Sequence, residues 1–311
     1  MTISIAHLGP AGTYAEMAAV AFSKKLSQFG QKSILCPYPS IAQTLWAVSQ
    51  EQVNLAVVPV ENSIEGSVTI TLDKLWQLDI LEIQTALVLP ISHGLISLAK
   101  SFEEIKIVYS HPQALAQCQG WLEKFLPQVK QSPANSTTEA LEHLEQDYSI
   151  AAIASQRAAE LYKLPILAYP INDYPDNCTR FWVLKKRCTE MGNSALKLII
   201  DTIDQPGNLV FTSLGFTVPA NEPGALVKPL QVFAKRKINM SRIESRPTKL
   251  SLGDYLFFID IEANSNHNYV KAAIEELKTY TQTLKIFGSY IIMTLSSVSY
   301  THLTLPTISR V

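Results

Sequence analysis

Four polar segments in the first 190 residues have the composition of a binding or catalytic site, and each adjoins a predicted strand. They are Gly9–Thr13, Pro59–Val68, Ser110–Gln113 and Asp176–Phe181. In open α/β sheets ligands bind where strands end, and free N–H groups at a helix start attract anions. An arginine grips a carboxylate through two parallel hydrogen bonds, and an acidic side chain or imidazole transfers protons. Together the segments indicate a site for a small anion.

Three of these segments, each taken alone, are equally typical of ordinary structure. Gly9–Thr13 matches neither a dinucleotide nor a nucleoside-triphosphate loop and suits a simple strand–helix turn. Ser110–Gln113 suits a capped helix start, because proline at position 112 favours the first helical position. Arg180 suits a surface residue at a strand edge. The functional interpretation therefore depends on the segments acting together.

The segment Pro59–Val68 favours function even by itself. Several polar or small residues here follow a fully apolar strand. Ser63 or Ser67 would be sufficient to cap a following helix. Such a cap does not require Glu61 and Asn62 as well, so these two side chains are candidates for chemistry.

The bulk composition excludes several classes of protein. The chain has 311 residues, 47% of them apolar and 17% charged, with a net charge of −1. This length favours two domains, and the charge argues against a nucleic-acid partner. No apolar run spans a bilayer, and Met1–Pro10 lacks the basic flank of a signal peptide, so we expect a cytoplasmic protein without membrane contact. Scattered histidines and widely spaced cysteines predict no metal site and reduced thiols, the cysteines being Cys36, Cys118, Cys178 and Cys188.

The elements that must position the four segments alternate between strand and helix, as in an α/β fold. Predicted strands are Ile3–Leu8, Val53–Val60, Leu81–Leu89, Ile105–Tyr109, Ile150–Ala154, Ile166–Pro170 and Phe181–Lys185. Predicted helices are Tyr14–Phe29 and Pro112–Phe125. A helix over Tyr14–Phe29 would place three alanines and Phe22 on one face, which favours packing against the sheet.

A second pattern begins after a polar stretch at residues 186–208, which predicts a linker. Its elements are Val210–Val218, Gly224–Lys237, Asn239–Arg246, Tyr255–Ile261, Val270–Tyr280 and Leu284–Phe287. Their order, βαββαβ, is that of a ferredoxin-like unit. Pro229 falls inside the first helix, so we expect a kink or a lost hydrogen bond there. Residues 291–311 lack a period and predict an atypical tail, either of non-native origin or an additional exposed strand.

The segments taken together resemble the prephenate dehydratase family over residues 3–290. The resemblance is carried by GPAGTY (Gly9–Tyr14), VENSIEGSV (Val60–Val68), SHPQALAQC (Ser110–Cys118) and NCTRF (Asn177–Phe181). GALVKPLQVFA (Gly224–Ala234) and INMSRIESRP (Ile238–Pro247) resemble the ACT regulatory domain of the same family. Four motifs in order plus a regulatory motif are far more specific than any single motif.

The resemblance implies a bilobal, periplasmic-binding-protein-like α/β catalytic domain over residues 1–190, with a cleft between its lobes. We expect one lobe at about residues 1–78 with 168–190 and the other at about 79–167. A linker at 191–208, a ferredoxin-like ACT domain at 209–290 and the tail at 291–311 complete the domain prediction.

The implied activity is the conversion of prephenate to phenylpyruvate, water and carbon dioxide in L-phenylalanine biosynthesis, without a cofactor. The implied catalytic residues are Thr179, Arg180, Glu61 and Asn62. The implied substrate-binding residues are Gly12, Thr13, Ser63, Gly66, Ser67, Ser110, His111, Gln113 and Phe181. Arogenate dehydratase, a non-catalytic bilobal binding protein and a pure amino-acid sensor remain alternatives.

The ACT resemblance implies an allosteric site for L-phenylalanine at a contact between subunits, in a homodimer or homotetramer. The implied residues are Gly224, Ala225, Leu226, Asn239, Glu244, Ser245, Arg246 and Pro247. Helix-terminal N–H groups suit the ligand carboxylate, and apolar residues suit its ring. A structural turn is the alternative for the same residues.

Overall fold

The computed structural model describes residues 2–144, 147–187, 208–219 and 222–295. The strands of the first 187 residues are β1 (Ile3–Leu8), β2 (Ser33–Tyr38), β3 (Leu55–Asn62), β4 (Gly66–Ser67), β5 (Leu81–Pro90), β6 (Gly94–Ser97), β7 (Ile107–Ser110), β8 (Lys130–Pro133), β9 (Ile150–Ala154), β10 (Ile166–Ala168) and β11 (Cys178–Lys186). The helices are α1 (Tyr14–Gln28), α2 (Ile41–Ser49), α3 (Thr69–Gln77), α4 (Pro112–Ala116), α5 (Gln119–Phe125) and α6 (Gln156–Tyr162), with 3₁₀ turns at Phe102–Glu104 and Glu139–Leu144.

These elements form two lobes, each built on its own sheet. The first lobe has the strand order β5-β11-β3-β1-β2, and the second has β10-β6-β9-β7-β8. The predicted lobe boundary near residue 79 is wrong, because β5 lies in the first sheet and pairs with β11 from Leu81 to Pro90. The sequence of β5 does not indicate which of the two sheets it joins, so only its pairing with a strand some ninety residues later assigns it.

The first lobe buries the predicted apolar face of α1. Ala15, Ala18, Ala19 and Phe22 are buried against the sheet, as the helical period predicts. Burial of Phe22 alone contributes about 1.5–3 kcal/mol, by the usual value for a large apolar side chain. The helix begins after Thr13, whose hydroxyl accepts from the N–H of Glu16 at 3.2 Å. This cap fixes where the first polar segment meets the sheet.

The C-terminal unit has the predicted βαββαβ order. Its elements are β12 (Val210–Thr217), α7 (Val227–Lys235), β13 (Met240–Pro247), β14 (Tyr255–Ile261), α8 (Asn268–Lys278) and β15 (Thr283–Thr294). The prediction of a kink at Pro229 is wrong, because α7 begins at Val227. Pro229 therefore lies in the first turn, where a helix needs no backbone donor.

The last strand joins the two domains into one continuous sheet. β15 pairs antiparallel with β12 and then runs parallel to β5, with Ile292 opposite Ala86. The prediction of a tail beginning at 291 is therefore wrong for Ile291–Thr294, which extend β15 instead. Gly288, with φ +137°, permits the close approach, since a Cβ there would lie 2.6 Å from the carbonyl oxygen of Ile83.

The C-terminal sheet packs one face on its own helices and the other on the catalytic domain. One core cluster combines Phe258, Phe287 and Tyr290 of the C-terminal domain with Leu72 and Trp182 of the first lobe. The predicted linker at 191–208 lies outside the described residues except for residue 208, as do Cys188 and residues 296–311. Among the helices that the structure describes, none has the length and apolar character needed to cross a bilayer.

Candidate active site

A cavity of about 730 Å³ lies between the two lobes. The first lobe contributes the ends of β1 and β3 and the starts of β11, α1 and α3. The second lobe contributes the start of α4 and the polar segment around Ser136. This volume and the mixed polar and apolar lining are typical of sites for small metabolites.

Thr179 and Asn62 form the polar centre of the cavity. They lie directly opposite each other on the antiparallel strands β11 and β3. The Asn62 side-chain amide donates to Thr179 Oγ1 at 2.9 Å, while its own oxygen accepts from the N–H groups of Ile64 at 3.0 Å and Glu65 at 3.1 Å. Because Thr179 Oγ1 accepts from Asn62, its hydroxyl hydrogen is available to donate to a molecule in the cavity.

Arg180 and Glu61 lie on the opposite face of the same two strands and outside the cavity lining. The Arg180 guanidinium forms ion pairs with Glu61 and, at 3.1 Å, with Asp260 of β14. Burial lowers the pKa of Arg180, but these two carboxylates more than offset it, so the pKa is raised overall. Successive residues of a strand face opposite sides of the sheet. Because Thr179 and Asn62 face the cavity, their neighbours Arg180 and Glu61 face away from it, against the expectation that these two side chains act there.

The remaining predicted binding residues divide into two groups. Those that line the cavity are Thr13, Gly66, Ser67, His111, Gln113 and Phe181. Those that do not are Gly12, Ser63 and Ser110. Ser110 is fully buried and donates to the carbonyl oxygen of Ile153 at 2.6 Å, while Ser63 accepts from the N–H of Cys178 at 3.0 Å. These two serines therefore hold the loops that carry the site rather than facing a ligand.

Gly12 connects the lobes. Its carbonyl oxygen accepts from the Ser155 hydroxyl of the second lobe at 2.8 Å. A Cβ at Gly12 would lie 2.9 Å from Thr138 and 3.1 Å from Ala158, and its φ of +89° favours glycine. The glycine of the first motif thus allows the two lobes to approach closely at the edge of the cavity.

Sequence reasoning did not select five polar residues that build the cavity wall. Four line it, namely Tyr14, Glu65, His93 and Gln117, and the fifth, Asn177, is hydrogen-bonded behind them. Tyr14, Glu65, Gln117 and Asn177 lay inside the quoted motifs, and His93 follows the end of β5. The rule that ligands bind at strand ends would have selected His93. Its hydrogen-bond partners come from distant parts of the chain and have no local sequence signal.

The described lining of the cavity contains no lysine or arginine. Its ionisable side chains are Tyr14, Glu65, His93, His111 and Glu139. Positive potential comes instead from the N-termini of α1 and α3, whose first residues line the cavity. The α3 start has no side-chain cap, which leaves its first N–H groups available to an anion.

The C-terminal domain reaches the cavity through Ser67. The Ser67 hydroxyl donates to Glu244 Oε2 at 3.0 Å and accepts from Arg242 at 3.3 Å. Arg242 in turn lies 3.5 Å from Asp260, which links it to Arg180. A residue that lines the cavity is therefore held by two side chains of β13.

The predicted regulatory residues lie on two segments of the C-terminal domain. Gly224, Ala225 and Leu226 form the turn before α7, Asn239 precedes β13, and Glu244, Ser245, Arg246 and Pro247 end that strand. Arg246 forms an ion pair with Asp73 of α3 at 3.2 Å, in addition to the Glu244 contact with Ser67. These two side chains thus bind the catalytic domain of their own chain in this structure.

A bilobal α/β domain with a hydroxyl-centred cavity, joined to a ferredoxin-like domain, defines a small-molecule enzyme with an attached regulatory module. Comparison with known families agrees with this class. The sequence model of the prephenate dehydratase family matches residues 5–189, and the sequence model of the ACT domain family matches residues 212–278.

Individual relatives extend the match over nearly the whole chain. A bifunctional chorismate mutase/prephenate dehydratase from Aquifex aeolicus is 41% identical over 93% of this chain and 73% of its own length. The prephenate dehydratase of Lactococcus lactis subsp. cremoris is 36% identical over 95% of this chain and 100% of its own. A crystal structure of prephenate dehydratase with L-Phe from Arthrobacter aurescens has a TM-score of 0.77 at 31% identity, covering 93% of this chain and 90% of that one.

The chain belongs to the prephenate dehydratase family and carries an ACT domain. It is an enzyme, a carbon–oxygen lyase, and its bilobal fold is the one that the motifs implied.

Proposed function

We propose that this chain catalyses the decarboxylative dehydration of prephenate in the interlobe cavity, with Thr179 donating a hydrogen bond to the leaving hydroxyl. The observation that carries the proposal is the Asn62–Thr179 contact of 2.9 Å. The contact occupies a lone pair of the threonine oxygen and directs its hydrogen into the cavity. A hydroxyl anchored in this way is oriented before the substrate arrives, which favours the transition state.

The chemistry required of the site follows from the reaction. The bond between the ring and its carboxylate breaks, and its electron pair enters the ring as the carbon–oxygen bond to the hydroxyl breaks. Carbon dioxide and hydroxide leave, and hydroxide requires one proton to become water. Aromatisation supplies the driving force, so the enzyme must bind a dianion, align the ring and help the hydroxyl depart.

Anion binding is assigned to the two helix starts and to polar lining residues. The N–H groups at the start of α1 and α3 would receive the carboxylates, with Gln113 as a side-chain donor. His111 lines the cavity and remains a candidate proton donor. Arg180 and Glu61 are assigned instead to the contact with the C-terminal domain, since they face Asp260.

The test is steady-state turnover of prephenate by the Thr179→Ala and Thr179→Ser variants. Alanine should lower kcat by about 10²–10³, the usual loss for one oriented donor, while circular dichroism stays unchanged. Serine keeps the hydroxyl and should retain most activity. Near-normal kcat in the alanine variant would refute the assignment. Parallel assays with arogenate decide whether the chain prefers prephenate or, as an arogenate dehydratase would, arogenate.

We infer that L-phenylalanine regulates this chain through the ACT domain in a homo-oligomer. The support is the domain itself and the Ser67 contacts of Arg242 and Glu244, which give a ligand-induced shift of β13 a direct route to the cavity. Ser67→Ala should leave L-phenylalanine binding intact and reduce its effect on KM, a coupling that is typically about 1–3 kcal/mol. An unchanged effect on KM would exclude this route.

A further inference from the structure

A continuous hydrogen-bond chain in the cavity wall determines which atoms of His93 must carry hydrogen. One end of the chain is anchored at Asn62, whose side-chain oxygen accepts from two backbone N–H groups. This fixes the orientation of the Asn62 amide, because a backbone N–H can only donate. The Asn62 nitrogen therefore donates to Asn177 Oδ1 at 2.9 Å.

The chain continues to one ring nitrogen of His93. Because Asn177 Oδ1 accepts from Asn62, its nitrogen faces Gln117 Oε1 and donates to it at 2.9 Å. The same Gln117 oxygen lies 3.1 Å from His93 Nε2. An amide oxygen carries no hydrogen, so this contact is a hydrogen bond only if His93 Nε2 is protonated.

The other end of the chain is anchored at a backbone carbonyl. The Tyr14 hydroxyl lies 2.6 Å from the carbonyl oxygen of Ser92 and donates to it. Its single hydrogen is thereby used, and its oxygen can only accept from His93 Nδ1, which lies 3.1 Å away. That contact requires a hydrogen on Nδ1 as well, so the chain is complete only when His93 is the doubly protonated imidazolium.

In the neutral ring, one of these contacts lacks a hydrogen. His93 is only 3% exposed, and burial lowers its pKa despite the contact with Gln117. The empty cavity therefore favours neutral His93 with its proton on Nε2, and the single Tyr14 hydrogen can then serve either the Ser92 carbonyl or Nδ1, but not both. A negative charge placed in the cavity would reverse this balance, since an opposite charge nearby favours the ionised form.

The ionisable groups around His93 come from several elements. Tyr14 from α1 and Cys118 from the α4–α5 junction are neutral at pH 7, because burial raises the pKa of both. Glu65, from the turn between β3 and β4, contacts Gln117 at 3.5 Å, and Asp173 donates its backbone N–H to the Gln117 carbonyl at 2.8 Å. Tyr169 lies near Tyr14 and influences its pKa.

We propose that His93 takes up one proton from solvent at Nδ1 when the substrate dianion binds, and acts as the buried cation of a cavity whose described lining has no lysine or arginine. The proposal rests on the function proposed above, because it requires a dianionic ligand. It assigns His93 to substrate binding and gives the described lining of the cavity a positive charge for the two carboxylates of the substrate.

The proposal predicts a pH dependence of a defined sign. Binding raises the pKa of His93 above its depressed value in the free enzyme. The affinity gain is fully present below the free pKa, which lies under the ordinary value of about 6.5, and is lost as pH rises through the pKa of the complex. Between these two values the dissociation constant should rise about tenfold per pH unit.

The first measurement is nitrogen-15 NMR of the full chain with labelled histidine, using the Thr179→Ala variant so that prephenate binds without rapid turnover. Without ligand at pH 7, His93 should show the Nε2–H tautomer; with prephenate it should show an imidazolium. The exposed His267 of the C-terminal domain is the internal reference and should not change.

The second measurement is calorimetry of prephenate binding in two buffers of different ionisation enthalpy. Uptake of about one proton per site is expected, with its loss in His93→Gln and no change in the His267→Gln control. Tyr14→Phe removes the acceptor for Nδ1–H and should shift the uptake to lower pH without removing the ring.

The two proposals fail in different ways. A complex with a neutral His93 ring and no proton uptake would overturn the assignment of His93 while leaving the proposed function intact. Absence of any prephenate binding or turnover in the unaltered chain would overturn the proposed function and this inference together. The His93 ring spectra of the Thr179→Ala variant decide the question even if His93→Gln does not fold.

Discussion

The buried ion cluster around Asp260 gives a quantitative test of whether Arg180 binds substrate or holds the domains together. Asp260 is only 1% exposed and lies 3.1 Å from Arg180 and 3.5 Å from Arg242. The side-chain Nε atoms of both arginines are buried without a hydrogen-bond partner. Loss of the Asp260 carboxylate would therefore leave two buried cations with Glu61 as the one ion-pair partner among the contacts described above.

The structure orders the effects of single substitutions. Asp260→Asn should lower the free energy of unfolding by about 3–5 kcal/mol, because Arg242 loses its carboxylate partner and Arg180 keeps only Glu61. Arg180→Met should cost less, about 1–3 kcal/mol, since Asp260 keeps Arg242 and the Ser213 hydroxyl as partners. Lys185→Met is the matched control on the same strand; its pair with Glu82, at 3.8 Å near the surface, contributes about 0–1 kcal/mol.

The assay combines urea unfolding, followed by tryptophan fluorescence, with the KM for prephenate. Trp182 packs beside this cluster, with Arg242 5.8 Å from its ring centre, and reports on the interface. Arg180→Met should leave KM within about threefold of the parent value. If Arg180 instead held a substrate carboxylate, KM would rise about thirtyfold or more, as expected for loss of a charged contact of 2 kcal/mol or more. A large KM change without loss of stability would refute the structural role.

Two further predictions concern the joint between the domains. Burial raises the pKa of Asp73, but the pairs with Arg246 and Lys249 together outweigh it and lower the pKa overall. Their stabilisation is therefore present above the unfolded pKa of about 4 and is lost as pH falls through the depressed value. Asp73→Asn should therefore reduce stability at pH 7 and flatten the loss of stability as the pH falls below about 4. An unchanged acid profile in urea unfolding would contradict this. Gly288→Ala should destabilise the protein by about 2 kcal/mol or more, because the new Cβ meets the Ile83 carbonyl at 2.6 Å and φ is +137°; a thermal midpoint equal to that of the parent would contradict the close approach.

Local sequence patterns determined much of the architecture. The amphipathic period of α1, the apolar runs of β3 and β5, and the βαββαβ order of the C-terminal domain all follow from residue types within a single segment. The four motifs also predicted which turns carry the site, because polar residues at strand ends have a local signal. Thr179 and Asn62 were both selected from these motifs, and the structure brings them together in the cavity wall from positions 117 residues apart.

Tertiary structure decided what the local patterns left open. The assignment of β5 to the first lobe depends on its pairing with β11, and the continuation of β15 past residue 290 depends on a free edge of β5. His93 gains its partners from segments far away in the chain. None of these contacts can be predicted from the residue pattern of a single segment, because the residues that form them are brought together only by folding.

Arg180 shows most clearly what the sequence determined and what the tertiary structure decided. Its position beside Thr179 in the sequence suggested that both side chains enter the same cavity. Alternation along a strand sends neighbours to opposite faces, and the sequence does not say which face meets the ligand and which meets the other domain. The packing of β14 against β11 placed Asp260 on the Arg180 side, and this contact turned a candidate substrate ligand into part of the domain interface.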